Sequence, residues 1–149
     1  MKRLVLAALF FAAPAFAQMQ MPGQLKPLPE RSDVVSWKTF AKVELVRQKD
    51  RYVPNFSPDV AALDQKTIKV QGFMMPLQTG DRQSHFVLSA MPVDCAFCLP
   101  GGPEAFVEVK TKAPVKYTME PVIISGKLTI LKTEPSGVFY RLTEAVQAN

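Results

Sequence analysis

Two cysteines, Cys95 and Cys98, stand in a C-x-x-C spacing inside Val93-Asp-Cys-Ala-Phe-Cys-Leu-Pro-Gly-Gly-Pro-Glu104, and they are the only cysteines of the chain. Three chemistries compete for them. Two cysteines allow one intramolecular disulfide. A bridge over so short a loop removes little chain entropy, so it would stabilise by less than the roughly 3 kcal/mol expected for a 15-residue loop, though it could stiffen the loop. Two thiolates are also half of a tetrahedral zinc site, or much of a copper(I) site. The missing ligands must then come from nearby, and Met91, Asp94 and Glu104 are the candidates by sequence distance. Met91 with both cysteines would suit copper(I); an added acid would suit zinc. The third chemistry is thiol–disulfide exchange, with Cys95 as nucleophile and Cys98 as resolving thiol. A reactive thiol of this kind needs a helix N-terminus or a cation beside it. Here Leu99-Pro-Gly-Gly-Pro103 follows the pair and Asp94 precedes it, which disfavours a low thiol pKa.

The only histidine is His85. It opens a run that reads as a strand leading toward the cysteines, and six residues of strand span about 20 Å. The spacing therefore places His85 at the far end of the fold from the loop, as an exposed or half-buried strand residue. One histidine leaves no room for a His-rich metal centre. Ser84 and Ser89 near His85 lack a nucleophile-elbow context. Gly101-Gly102 is too short for a phosphate loop and has no following lysine and hydroxyl. Met74 and Met75 abut Pro76, where packing suits them better than metal binding. No catalytic residues are assigned.

The compartment follows from the first residues. Lys2 and Arg3 precede an apolar run to Phe16, and Ala15-Phe16-Ala17 has the A-x-A form of a cleavage site. Residues 1–17 read as a secretory signal peptide, too short to span a bilayer as a helix, which needs about 20 residues. A periplasmic protein without a membrane anchor is expected, starting near Gln18, in an oxidising compartment where thiols pair. The formal net charge is +5, with basic residues scattered rather than clustered, so no nucleic-acid partner is expected. Residues 18–34 carry Met19, Met21, Pro22, Gly23, Pro27 and Pro29 without periodicity and read as a flexible tether.

One domain is expected over 35–146, with 147–149 as a tail. Ser36 caps a short helix whose Trp37, Phe40 and Ala41 share a face, with Trp37 anchoring the segment on the core. Val43–Val46 fits helix or strand, and Arg47–Arg51 reads as a solvated turn. Ser57-Pro58-Asp59 starts a second short helix through Leu63, and Asp64-Gln65 turns the chain. From Lys66 the period is 2, with Ile68, Val70, Gly72 and Met74 on one face. Phe86, Leu88 and Ala90 complete a hairpin across the turn Gln78–Arg82. Further strands carry Ala105, Val107 and Val109; then Val122, Ile124, Gly126, Leu128 and Ile130; then, after Ser136-Gly137, Val138, Tyr140 and Leu142. Gly72 and Gly126 fall mid-strand on the inward face, which marks bulges or sharp bends. Five short strands, two of them bent, predict a mainly β fold: a small OB-like barrel with short N-terminal helices.

The blocks Val70-Gln-Gly-Phe-Met-Met-Pro-Leu77, Phe86-Val-Leu88, Val107-Glu-Val109, Val122-Ile-Ile-Ser-Gly-Lys-Leu128 and Tyr140-Arg-Leu142 resemble those of an exported bacterial family, DUF3299, a domain of unknown function. The resemblance runs from about Ser36 to Val146. It implies an OB-like barrel, and a genomic setting near exporters and zinc-related periplasmic genes implies metal handling or envelope work. Many members carry Cys-x-His and then prolines in the loop, where this chain has Cys95-Ala-Phe-Cys98 with Pro100 and Pro103. The reading that follows is a non-enzymatic periplasmic binding or accessory protein. Its working surface is the loop Asp94–Glu104, loaded with zinc or copper(I), and its partner is an envelope protein or transporter. The alternatives are a disulfide-stiffened envelope interaction module and a thiol–disulfide redox protein.

Overall fold

The computed structural model describes residues 28–92 and 101–149. The signal-peptide reading, the tether up to Pro27, and the readings of Asp94, Cys95 and Cys98 lie outside the described residues. The element order is α1 (Trp37–Phe40), β1 (Val43–Gln48), β2 (Arg51–Phe56), α2 (Pro58–Ala61), β3 (Thr67–Pro76), β4 (Arg82–Ser89), a 3-10 turn (Pro103–Ala105), β5 (Phe106–Lys116), β6 (Val122–Ile130) and β7 (Tyr140–Ala148). β3 to β7 close into a barrel of order β3-β4-β5-β7-β6. β5 and β7 run parallel and the other pairs antiparallel. This is the five-stranded OB-type barrel that the alternating runs predict.

Alternation sends Ile68, Val70, Met74, Phe86, Leu88, Val107, Val109, Val122, Ile124, Leu128, Tyr140 and Leu142 into one core. α1 closes the barrel at one side. Ser36 Oγ accepts from Lys38 N at 3.2 Å, and Phe40 is fully buried against Tyr140, ring centroids 4.7 Å apart. Trp37 anchors the segment as expected, donating from Nε1 to the Gln71 carbonyl at 2.8 Å. Ser57 caps α2, accepting from Val60 N, and Gln65 turns the chain with a left-handed φ of 61°.

Both glycines sit where the barrel bends. β3 pairs with β6 up to Gly72 and with β4 from Phe73 onward, so the strand changes partner at that step. A Cβ on Gly72 would lie 2.8 Å from the Ser89 carbonyl oxygen and 3.3 Å from Trp37 Cζ2. Opposite Gly126 the ladder steps from Ser125↔Val146 to Lys127↔Thr143, leaving Glu144 and Ala145 against one residue. That is a bulge in β7, and Glu144 takes its left-handed φ of 50°. A Cβ on Gly126 would lie 2.9 Å from Ala145 Cβ. Gly72→Ala should therefore cost about 1–3 kcal/mol, because backbone rather than a flexible side chain must move. Urea titration beside wild type checks this; an unchanged midpoint would mean that β3 and β4 are not in close apposition there.

The structure corrects several expectations. There are seven strands, not five, because the expected turn Arg47–Arg51 is a hairpin tip. Gln48 pairs with Arg51, and only Lys49 and Asp50 lie between them. β2 escapes a sequence reading through Pro54, which the second-strand position tolerates because β1 and β2 form a separate two-stranded sheet with open edges. Ala41 is exposed rather than on the buried face of α1. Val138 packs outside the barrel with Met75, Val87 and Phe106, because β7 begins only at Tyr140. β7 continues to Ala148, which pairs with Ile123, so the strand enters the expected tail.

Candidate functional site

The loop that carries the cysteines joins β4 to β5, and its two feet are described. Ser89 ends β4 and is fully buried. Its hydroxyl donates to the Met91 carbonyl at 2.7 Å and accepts from Met91 N at 3.2 Å, which folds the chain into a tight turn as it leaves the strand. Across the base, Ala90 N donates to the Ala105 carbonyl at 3.4 Å, and the 3-10 turn closes with Ala105 N on the Gly102 carbonyl at 2.9 Å. Met91 and Glu104, the two outlying candidates for metal ligation, thus stand on opposite feet of one clamped base. Met91 is 52% exposed, and Glu104 is half-buried in the 3-10 turn. Gly72 and Trp37 lie beneath it, since Ser89 and Trp37 are the atoms that Gly72 faces. A cleft of about 720 Å³ opens beside the base, walled by Val35, Trp37, Gln71 and Ala90 together with residues of the segment 28–32.

Tyr140 is near enough to the base to feel the charge of Glu104. Tyr140 donates its hydroxyl to the Phe40 carbonyl at 2.7 Å within the core. Burial, with the negative charge of Glu104 second, pushes its phenol far above the usual range, so it stays a donor.

His85 is a half-buried strand residue, as expected, but it is not idle. Val107 and Val109 point inward from β5, so Glu108 points outward, yet it is only 8% exposed. Three strands cover it. His85 Nε2 from β4 lies 2.7 Å from Glu108 Oε1, and Arg141 Nε from β7 lies 2.5 Å from Oε2. Lys110 Nζ stands 3.9 Å away, and Arg141 Nη2 reaches Glu134 at 3.6 Å. Burial alone would raise the Glu108 pKa, but the bonds from Arg141 and His85, with the charges of Arg141 and Lys110, outweigh it and hold the carboxyl below its ordinary value. An ionised carboxylate only accepts, so Nε2 carries the proton. A carboxylate-held imidazole is the arrangement that orients metal ligands and bases. The bonds of Glu108 tie β4, β5 and β7 together as a staple; among the described residues no group of three or more His, Cys, Asp and Glu gathers to hold a metal. Alternation could have revealed that Glu108 and Arg141 both face outward. Their pairing depends on the parallel β5–β7 register, which no local pattern encodes.

Comparison with known proteins adds the following. The model of a family described as "Protein of unknown function (DUF3299)" matches residues 18–145. No curated protein matches the chain. A solved crystal structure of a DUF3299 family protein from Pseudomonas aeruginosa PAO1 is similar at 21% identity with a TM-score of 0.48; the match covers 59% of this chain and 64% of that one, under two thirds of its length.

Proposed function

This chain belongs to the DUF3299 family, and from that premise we propose that it is an exported periplasmic accessory protein, not an enzyme, that works through its β4–β5 loop. In this reading Cys95 and Cys98 bind a soft metal ion, zinc or copper(I), with Met91 or an acid, Asp94 or Glu104, completing the site. The loaded loop is what an envelope protein or transporter would recognise. The observation that carries the reading is the clamped base. Buried Ser89 and the Ala90–Ala105 bond hold Met91 and Glu104 on the two feet of the segment whose sequence carries the cysteines. The short C-x-x-C spacing keeps both sulfurs near each other in sequence.

Thiol counting on protein taken from the periplasm, followed by metal titration, tests this. Free thiols should bind one equivalent of zinc or copper(I), and Cys95→Ser should lose that binding. Met91→Leu should weaken copper(I) and leave zinc nearly unchanged, because a thioether is a soft ligand. A locked disulfide with no metal uptake would overturn the metal reading in favour of a stiffened interaction module. Turnover of a model disulfide that depends on Cys95 would overturn it in favour of redox exchange.

A further inference from the structure

The β1–β2 hairpin leaves the barrel and exposes what a solvated hairpin normally hides. Its foot is anchored: Val43 and Phe56 pair across it and pack on the core, Phe56 edge-on to Phe139 with centroids 5.7 Å apart. Among the described residues it pairs with no other strand. The register places Leu45 opposite Pro54 and Arg47 opposite Tyr52, so Leu45, Arg47 and Tyr52 share a face. Leu45 is 57% exposed and Tyr52 66%, while Val46 on the other face is 40% exposed. The tip adds Lys49 and Arg51, both exposed, against the single acid Asp50. Lys49 holds a left-handed φ of 54°, which makes the turn tight and carries the basic residues to the extremity. On the other side of the hairpin a cleft of about 640 Å³ has Val46, Val53 and Ile130 in its wall and Arg51 and Lys132 among its lining.

We propose that this hairpin is a docking element for an anionic phospholipid surface. A branched aliphatic and a tyrosine project from the same short sheet as three cations, and those are the residue types that settle at a headgroup boundary. The aliphatic side chain enters the acyl edge, the tyrosine ring lies at headgroup level, and the cations meet lipid phosphates. Charge complementarity decides among occupants. A second copy docking tip to tip would bring Arg47, Lys49 and Arg51 against themselves, with Asp50 at the tip and Glu44 nearer the foot to offset them. A polyanion without an apolar phase would leave Leu45 and Val46 in water. The chain from Gln18 on carries 16 basic against 13 acidic residues, a net +3, which favours approach to the same surface. Open strand edges explain why such a hairpin must be either occupied or blunted, and Pro54 blunts the β2 edge, leaving the face rather than the edge as the contact.

Wild type starting at Gln18 is sedimented with phosphatidylcholine vesicles with and without phosphatidylglycerol, beside Leu45→Ser/Tyr52→Ser and Arg47→Gln/Lys49→Gln. These positions are exposed, so both variants should keep the wild-type melting temperature. On vesicles containing phosphatidylglycerol each variant should bind about tenfold more weakly, as expected when two interfacial groups are lost. On pure phosphatidylcholine the three proteins should behave alike. Tyr52→Trp should show a blue-shifted emission component that appears only with the anionic vesicles. Variants that sediment like wild type, or a hairpin dependence that persists without anionic lipid, would overturn the proposal. So would a change of oligomeric state on gel filtration in the same variants, which would make the occupant a second copy.

Discussion

Replacing Phe40 by alanine should destabilise the protein by about 3–5 kcal/mol, the range for truncating a buried aromatic. The effect exceeds what a four-residue helix would suggest. α1 is too short to be stable by itself, since isolated helices below roughly 12 residues are marginal in water. It holds its conformation because Phe40 is fully buried between Trp37, at 5.5 Å, and Tyr140, at 4.7 Å, centroid to centroid. Truncation leaves a cavity under the barrel's side and removes the ring against which Tyr140 rests. The Phe40 carbonyl, which accepts the Tyr140 hydroxyl, then loses its fixed place. Tyr140→Phe separates the two contributions. It keeps every ring and deletes one donor, leaving a buried carbonyl unmatched, at about 1–3 kcal/mol. Urea titration followed by far-UV circular dichroism reads both. A Phe40→Ala loss below that of Tyr140→Phe would mean that α1 is an ornament on the barrel and not part of its closure.

The same residues show why the sequence carried the barrel so well and the site so poorly. β3, β4, β6 and the start of β5 place their core residues at every second position and so write their alternation plainly, and Gly72 and Gly126 mark the bends because only a missing Cβ fits beside Ser89 and Ala145. Where burial does not alternate, the reading fails. β1 and β2 expose most of their residues, so no period-2 signal distinguishes them from a turn, and Pro54 argues against a strand that exists only because its edge is open. Val138 looks like an inward residue by spacing but precedes β7, and it joins an outer cluster that has its own apolar logic with Met75, Val87 and Phe106. Gln71 and Phe73 stand on the outer face of β3 and are buried all the same, Gln71 beneath Trp37. The site divides in the same way. Met91 and Glu104 are legible as near neighbours of the cysteines in sequence, and Trp37 as the apolar anchor of a short helix capped by Ser36. The clamp by Ser89 depends on a hydroxyl whose role appears only once β4 has ended. The Glu108 network joins residues 23 and 33 positions apart, so composition alone shows a scattered His, Glu and Arg.

Arg141→Gln should lower stability at neutral pH by about 1.5–3 kcal/mol, the range for a hydrogen bond to a charged group, and the deficit should shrink as the solution is acidified. Glu108 is the reason for both parts. In the wild type its folded pKa is lowered from the ordinary 4.5, against the pull of burial, chiefly because Arg141 and His85 bond the ionised form. A carboxylate with a depressed folded pKa stabilises the fold above the unfolded value and loses that contribution as the pH falls through the folded one. Without the guanidinium, burial acts on Glu108 with only His85 and the more distant Lys110 to oppose it. Its charged form is then poorly matched at neutral pH, and protonation relieves the mismatch. The wild type should accordingly lose stability below the ordinary carboxylate range, while the variant loses less and the two curves converge. Arg141→Lys should not restore the wild type. The guanidinium meets Glu108 through Nε and Glu134 through Nη2, and a single ammonium cannot span both carboxylates in that geometry. Chemical denaturation across a pH series, with Glu108→Gln as the variant that cannot titrate, provides the check. An Arg141→Gln deficit that stays constant at every pH would show that the residue acts by packing its stem and not through the charge of Glu108.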